Sequence, residues 1–178
     1  MRDQVYLASE DSALLRGVLT RYHGENCLEI GAGNAGNLVD LSVRFQNVVG
    51  TDLVRPSMAD WRRRGVSFVL ADAASCMRQA SFDLVAFNPP YLKEESGGDP
   101  AVEGGSGLEV PRKFLAEALR VVKTDGKVVM LVNGEAEVSD LQRELARSGF
   151  RMRKVATRHL FFENLSVYEA SAADGAPR

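Results

Sequence analysis

Phe82-Asp83-Leu84-Val85-Ala86-Phe87-Asn88-Pro89-Pro90-Tyr91 decides how the rest of the chain is read. Phe82 to Phe87 is a short apolar run of β-formers, the pattern of a buried strand in a parallel sheet. Pro89 and Pro90 cannot donate to a ladder and hold the backbone extended, so the strand stops at Asn88. It thereby delivers an amide side chain, two rigid carbonyls and an aromatic ring to its carboxyl end, where open α/β sheets bind ligands. An NH₂ on an sp² carbon is a poor nucleophile, because its lone pair is delocalised. The Asn88 side-chain oxygen and the Pro89 carbonyl would each accept one N–H of such a group and turn its lone pair toward an electrophile. Tyr91 would lie against the flat face of the acceptor, and Pro90 adds no competing N–H. A tight Pro-Pro turn explains only where the strand ends; Asn88 before it and Tyr91 after it favour an acceptor site.

Upstream, Cys27-Leu28-Glu29-Ile30 reads as the first core strand, running into Gly31-Ala32-Gly33-Asn34-Ala35-Gly36. This is G-x-G-x-x-G between a strand and an amphipathic helix carrying Leu38, Val39, Leu41 and Val43. A dinucleotide would set its pyrophosphate at that helix start, where Glu29 would repel it. S-adenosylmethionine carries an ammonium and a sulfonium and no phosphate, so Glu29 selects the sulfonium cofactor.

Two further acids follow the same pattern. Asn47 to Asp52 reads as the second strand, and Asp52 is placed at its end to accept both ribose hydroxyls, with Leu53 next to it. Val66 to Ala71 reads as the third strand; Asp72 would accept the adenine amine while Ala73 offers its backbone N–H to the ring. Alone, either acid could be a helix cap. In series with Glu29 they read as ligand contacts.

The remaining chain supplies the frame. Val5-Tyr6-Leu7 is an extended lead-in, and Ser9-Glu10-Asp11-Ser12 starts a helix with Ser9 as N-cap and Leu14, Leu15, Val18 and Leu19 at helical spacing. Arg55 to Arg64 is a short helix whose basic end is a solvated last turn. Leu92 to Gly107 is glycine-rich and acidic, a long loop after the active strand that suits a lid or substrate cradle. Glu109 to Val122 is a helix, Thr124-Asp125-Gly126 a turn, Lys127 to Val132 a strand and Val138 to Ser148 a helix capped by Gly149. Phe150 to Phe161 and Asn164 to Ala170 read as a closing pair of strands. His23 and His159 are isolated and read as structural or surface residues.

With 178 residues, 45% hydrophobic and 26% charged, the chain suits one soluble domain with a core of its own. The domain is expected over residues 1–170, with residues 1–25 as lead-in and first helix and 171–178 as a flexible tail. Cys27 and Cys76 match neither a zinc spacing nor a disulfide framework, and no signal-peptide or membrane-spanning pattern is visible, so a cytoplasmic location is expected. A net charge of −2 counts mildly against a dedicated nucleic-acid binder.

This alternation of strands and helices resembles the class I S-adenosylmethionine-dependent methyltransferases. Within them it looks like the HemK-like branch, which methylates the glutamine of the Gly-Gly-Gln motif in peptide-chain release factors, in its short archaeal and eukaryotic form. The resemblance is carried by Tyr6 through Leu15, Leu28 through Gly33, Asp52, Asp72, Asn88-Pro89-Pro90-Tyr91 and Phe161 through Leu165. Ala8 stands where relatives usually carry proline, which would loosen the lead-in. The resemblance implies a Rossmann-like, mostly parallel seven-stranded sheet of order 3-2-1-4-5-7-6, strand 7 antiparallel, with helices on both faces. It extends the cofactor contacts to Tyr6, Asp11, Ser12, Gly31, Ala32, Gly33, Asn34, Leu53 and Asn88, and gives acceptor roles to Asn88, Pro89, Pro90 and Tyr91. No metal is required.

It also implies a small zinc-ribbon activator subunit, for which the apolar edge strand Val66 to Leu70 is the expected dock. One alternative keeps the chemistry but moves it to an exocyclic amine of a nucleic acid, with Arg151, Arg153, Lys154 and Arg158 in its favour. A degenerate fold serving as a binding scaffold is the non-enzymatic alternative.

Overall fold

The computed structural model describes residues 10–55, 65–90, 109–133, 135–159 and 164–173. The lead-in with Tyr6, the Ser9 cap, the Arg55–Arg64 helix beyond Arg55, Tyr91, the Leu92–Gly107 loop, Phe161 to Glu163 and the end of the tail lie outside them. In chain order the elements are α1 (Glu10–Leu19), β1 (Gly24–Ile30), α2 (Gly36–Leu41), β2 (Phe45–Asp52), β3 (Ser67–Leu70) and β4 (Phe82–Phe87). Then come α3 (Glu109–Val121), β5 (Val122–Asn133), α4 (Glu135–Arg147), β6 (Phe150–His159) and β7 (Asn164–Ala172). The strands form one sheet, β3-β2-β1-β4-β5-β7-β6, as expected from the resemblance. All pairings are parallel except those of β7 with β5 and β6.

Alternation along the strands divides the core between the two faces of the sheet. Leu28, Ile30, Val85, Phe87, Val128 and Met130 pack with Leu115, Ala118 and Val121 of α3 and Leu141 and Leu145 of α4. Cys27, Leu84, Ala86, Val129 and Leu131 pack with Leu15, Val18 and Leu19 of α1 and Leu38 and Leu41 of α2. At six residues α2 is too short to persist alone. Leu38 and Leu41, both buried, hold it against the sheet.

Three local readings differ from the sequence analysis. Helix α2 ends before Val43, which is 84% exposed. The Ser42 hydroxyl donates to the Val39 carbonyl, and the chain turns there to feed buried Phe45 into β2.

Strand β1 starts at Gly24 rather than Cys27. Its backbone pairing with β4 begins only at Cys27↔Leu84, and the Asp83 carboxylate accepts the N–H groups of Glu25 (2.9 Å) and Asn26 (2.7 Å) instead.

The expected Thr124-Asp125-Gly126 turn is a bulge inside β5. The register steps from Phe82↔Val122 to Leu84↔Lys127, and those three residues belong to the excess. Backbone at Gly126 presses against β4, since a Cβ there would stand 2.9 Å from the Phe82 carbonyl oxygen and 3.0 Å from that of Asp83. A Gly126→Ala variant is therefore expected to lose about 1–3 kcal/mol of stability. Urea unfolding should show a lower midpoint at unchanged slope; an unmoved midpoint would mean that the bulge yields freely.

Candidate functional site

The carboxyl ends of β1, β2 and β4 lie side by side, and the turns that leave them build the site. After Ile30 the chain reverses through Gly31, whose N–H and that of Ala32 donate to the Thr51 carbonyl (2.8 and 3.0 Å). Gly31 has φ +70° and Gly33 φ +48°, a region that strains other residues. A Cβ on Gly31 would also meet the Phe114 ring at 3.1 Å. That ring stands edge-on to Phe87, with centroids 5.9 Å apart. The first glycine thus makes room for a side chain of α3, whereas the space beside Gly33 is open. Ala32 is buried and Asn34 exposed; the Asn34 side-chain oxygen accepts the Gly36 N–H and closes the turn.

Asp52 ends β2 and holds this turn in place. One carboxylate oxygen accepts the Gly33 N–H and the other that of Val54, both at 2.9 Å. Each oxygen keeps a second lone pair for a ligand hydroxyl. The next residues, Leu53 and Val54, are 67% and 65% exposed, and Leu70, the register partner of Asp52 on β3, is 59% exposed.

Glu29 is buried on the α2 side of β1, where one carboxylate oxygen accepts from the Asn37 side-chain amide at 2.5 Å. Burial raises its pKa to about 8, against the Asn37 hydrogen bond and with the nearby Asp52 charge adding to the rise. Asn37, directly after Gly36 in the first turn of α2, carries no motif and has no sequence signature of a functional residue.

Asn88 sits at the end of β4, with Pro89 buried and Pro90 exposed. Its amide Nδ2 donates to Asp11 Oδ2 at 3.0 Å, joining α1 to the end of β4 across 77 residues of chain. The other Asp11 oxygen accepts the Ser12 N–H at 2.7 Å. Asp72 is ion-paired with Lys113 of α3 and is about half exposed. Ala73 beside it is buried at φ +49°, and Arg120 anchors the same loop through the carbonyls of Ala74 (2.7 Å) and Met77 (2.8 Å). Lys113 and Arg120 had no sequence signature.

Among the described residues, the buried side-chain atoms without a partner are Glu29 Oε2, Thr51 Oγ1 and Asn88 Oδ1. All three stand near the ends of adjacent strands β1, β2 and β4; Glu29 and Asn88 are turned to the α1 and α2 side of the sheet, whereas Thr51, the register partner of Ile30, is turned to the other. Buried polar groups are almost always paired, so the Glu29 and Asn88 orphans on one side mark a surface whose partners come from a ligand. A carboxyl and an amide oxygen fit a ligand bearing positive charge and N–H groups. By contrast, the groove of about 520 Å³ between α3 and α4 is lined by Arg112, Asp140, Arg143, Glu144 and Arg147 and holds none of these atoms. No helix among the described residues is long and apolar enough to cross a membrane.

No protein-family model matches the chain. It is 27% identical, over 96% of its own length and 93% of the relative's, to a protein of Methanocaldococcus jannaschii named as an N5-glutamine methyltransferase. A release factor glutamine methyltransferase of Nitratidesulfovibrio vulgaris is 32% identical over 58% of this chain, which spans 43% of that longer relative. In three dimensions the chain is similar to the E. cuniculi Mtq2–Trm112 complex, described as responsible for methylation of the termination factor eRF1. That match has a TM-score of 0.77 and 27% identity over 94% of this chain and 98% of the other. At 17% identity, a Burkholderia thailandensis N1-methyltransferase with bound S-adenosylhomocysteine shares the fold, with a TM-score of 0.64 over 93% and 80% of the two chains. The chain has the class I S-adenosylmethionine-dependent methyltransferase fold, and over nearly its full length it is similar to a protein named as an N5-glutamine methyltransferase.

Proposed function

We propose that this enzyme methylates the side-chain amide nitrogen of a glutamine in a peptide-chain release factor. The observation that carries the reading is the buried, unpartnered Asn88 oxygen at the end of β4, an acceptor aimed where a planar NH₂ would need one. The likeness to proteins named for glutamine N5-methylation supports a protein amide over a base amine.

When bound, S-adenosylmethionine supplies a methyl carbon activated by its sulfonium. Glu29 Oε2 would hold the cofactor's positive charge, Asp52 its ribose hydroxyls, and the Gly31–Asn34 turn its path along the backbone. Tyr6, Ser12 and Leu53 would complete that pocket. Asp72 and Ala73 would meet the adenine, with Lys113 sharing the Asp72 carboxylate. Asn88 Oδ1 and the Pro89 carbonyl would each take one N–H of the glutamine amide, directing its lone pair along the line of displacement. Pro90 keeps donors away, and Tyr91 would cover the amide plane. The amide proton released after transfer leaves to solvent.

A small zinc-ribbon activator subunit would add to the β3 edge. Support comes from the position of β3 at the end of the sheet, the exposed Leu53, Val54 and Leu70 beside it, and the two-protein composition of the E. cuniculi complex.

Incubation with the cofactor and a release factor should place one methyl on a glutamine, read by mass spectrometry of the digested product. Label entering nuclease-sensitive material instead would overturn the assignment of the acceptor. An Asn88→Ala variant is expected to lose about a hundred- to a thousandfold in kcat while cofactor affinity changes little; near-normal turnover would remove Asn88 from the mechanism.

The raised Glu29 pKa predicts coupled proton effects. A cationic ligand needs the carboxylate, so at pH 7 binding should release a proton, and affinity should weaken as pH falls below about 8. Calorimetry in two buffers of different ionisation enthalpy measures this. In the ligand-free protein the sign for stability is the opposite of a salt bridge. The folded state holds a proton that the unfolded chain loses near the ordinary carboxylate pKa, so stability falls as pH rises from there toward 8. A Glu29→Gln variant should therefore unfold at higher temperature than the wild type at pH 8, with little difference near pH 4, and should bind cofactor weakly.

Partner binding has its own check. Co-expression with the zinc-ribbon subunit should raise solubility and turnover, whereas a chain that alone is monomeric, soluble and fully active would overturn this part.

A further inference from the structure

We propose that Asp11 is a positioning residue for the acceptor site: it fixes which end of the Asn88 amide faces the substrate. This rests on the reading of Asn88 as the group that accepts an N–H of the methylated amide. The oxygen and NH₂ of an asparagine occupy nearly the same space, so the surroundings decide which way the group is turned. Asn88 Nδ2 stands 3.0 Å from Asp11 Oδ2. An ionised carboxylate only accepts, so it holds the NH₂ and leaves Oδ1 as the end that faces away, buried and without a partner. Turned over, the amide would present N–H toward substrate N–H, and the acceptor geometry would be lost.

Asp11 is itself held in place. Its second oxygen accepts the Ser12 N–H in the first turn of α1, where the helix end favours a negative charge. Leu15, Val18 and Leu19 lock that helix onto the sheet. The charge also polarises the amide it grips, so that Oδ1 becomes a stronger acceptor. Packing on one face of the sheet is thereby converted into the orientation of a single side chain at the carboxyl end of its central strand. A simpler role, capping α1 and nothing more, would use only the Ser12 contact.

The two roles separate in a swap. Asn88→Asp alone puts two carboxylates against each other and should lose at least about a hundredfold in kcat. Adding Asp11→Asn restores one amide donor to one carboxylate and again leaves an oxygen facing the acceptor. The double variant should regain at least about tenfold over Asn88→Asp, although Asp11→Asn alone is itself impaired. The cofactor Kd is measured for each variant and kcat is compared at saturating cofactor, so that an altered cofactor contact at Asp11 or Asn88 does not enter the comparison. A double variant no better than Asn88→Asp, or an Asp11→Ala variant with wild-type kcat, overturns the proposal.

Melting temperatures of all variants identify any that lose activity by unfolding. For such a case the Asn88 side-chain NH₂ signals in the wild-type nuclear magnetic resonance spectrum decide. They should be slowed in solvent exchange and should move when Asp11 becomes Asn; signals that stay in place overturn the proposal. This readout needs no substrate. A wild-type enzyme inactive on release factors would therefore overturn the proposed substrate while leaving Asp11 to be judged separately.

Discussion

A strand paired on both sides is held to end at a fixed residue when its next donors are removed, and β4 is ended in that way. It is bonded to β1 and β5, so its backbone has no slack in register. Pro89 and Pro90 then withdraw two successive N–H groups. Asn88 is consequently the last residue whose position the sheet dictates. What surrounds it follows from neighbours sharing that register: Ile30 opposite Phe87, and Thr51 opposite Ile30. The turn after β1 is fastened to the end of β2 by the Thr51 carbonyl and the Asp52 carboxylate. One ladder thus places the glycine turn, the Asp52 carboxylate and the Asn88 amide within a single reach.

That arrangement carries a cost in the free protein. A buried polar atom without a partner destabilises by about 1–3 kcal/mol, and Glu29 Oε2 and Asn88 Oδ1 are two such atoms in the site. Burial keeps Glu29 protonated well above the ordinary carboxylate range, which removes a charge that the interior would otherwise resist. Stability is supplied elsewhere, by two apolar cores covering both faces of the sheet. The division is physical. The faces are dry and packed, while the ends of the strands are left polar and incomplete, so a ligand that completes them also stabilises the fold.

The sheet was legible because each central strand is a compact apolar run ended by a glycine, an acid or a proline pair. The strand-end acids were legible for the same reason: their positions follow directly from where the strands stop. Contacts between distant segments were not. Asp11 and Asn88, Asp72 and Lys113, and Glu29 and Asn37 are joined by folding, and no residue in these pairs announces its partner by spacing. The turn signal Thr124-Asp125-Gly126 was read correctly as a departure from regular pairing but wrongly as the end of an element. A bulge uses the same residues as a turn, and only the partner strand distinguishes them. Val43 misled because apolar periodicity ran past the point where the chain had to leave α2 for β2.

The two ends of the sheet differ in a way that bears on where a partner would add. Strand β6, one edge, carries Arg151, Arg153, Lys154, Arg158 and His159, all exposed, and no acid. Charged side chains along an edge are a common protection against unwanted pairing. Two of these cations are also engaged with β7, Arg153 with Glu169 and Lys154 over the Tyr168 ring. Their charge therefore needs no nucleic acid to explain it. Strand β3, the other edge, is four residues long and contributes Phe68, Val69 and an exposed Leu70, continuous with exposed Leu53 and Val54. Nothing charged within β3 discourages a neighbouring strand. An edge of that chemistry suits the addition of a further strand, and its last residue, Leu70, is the register partner of Asp52.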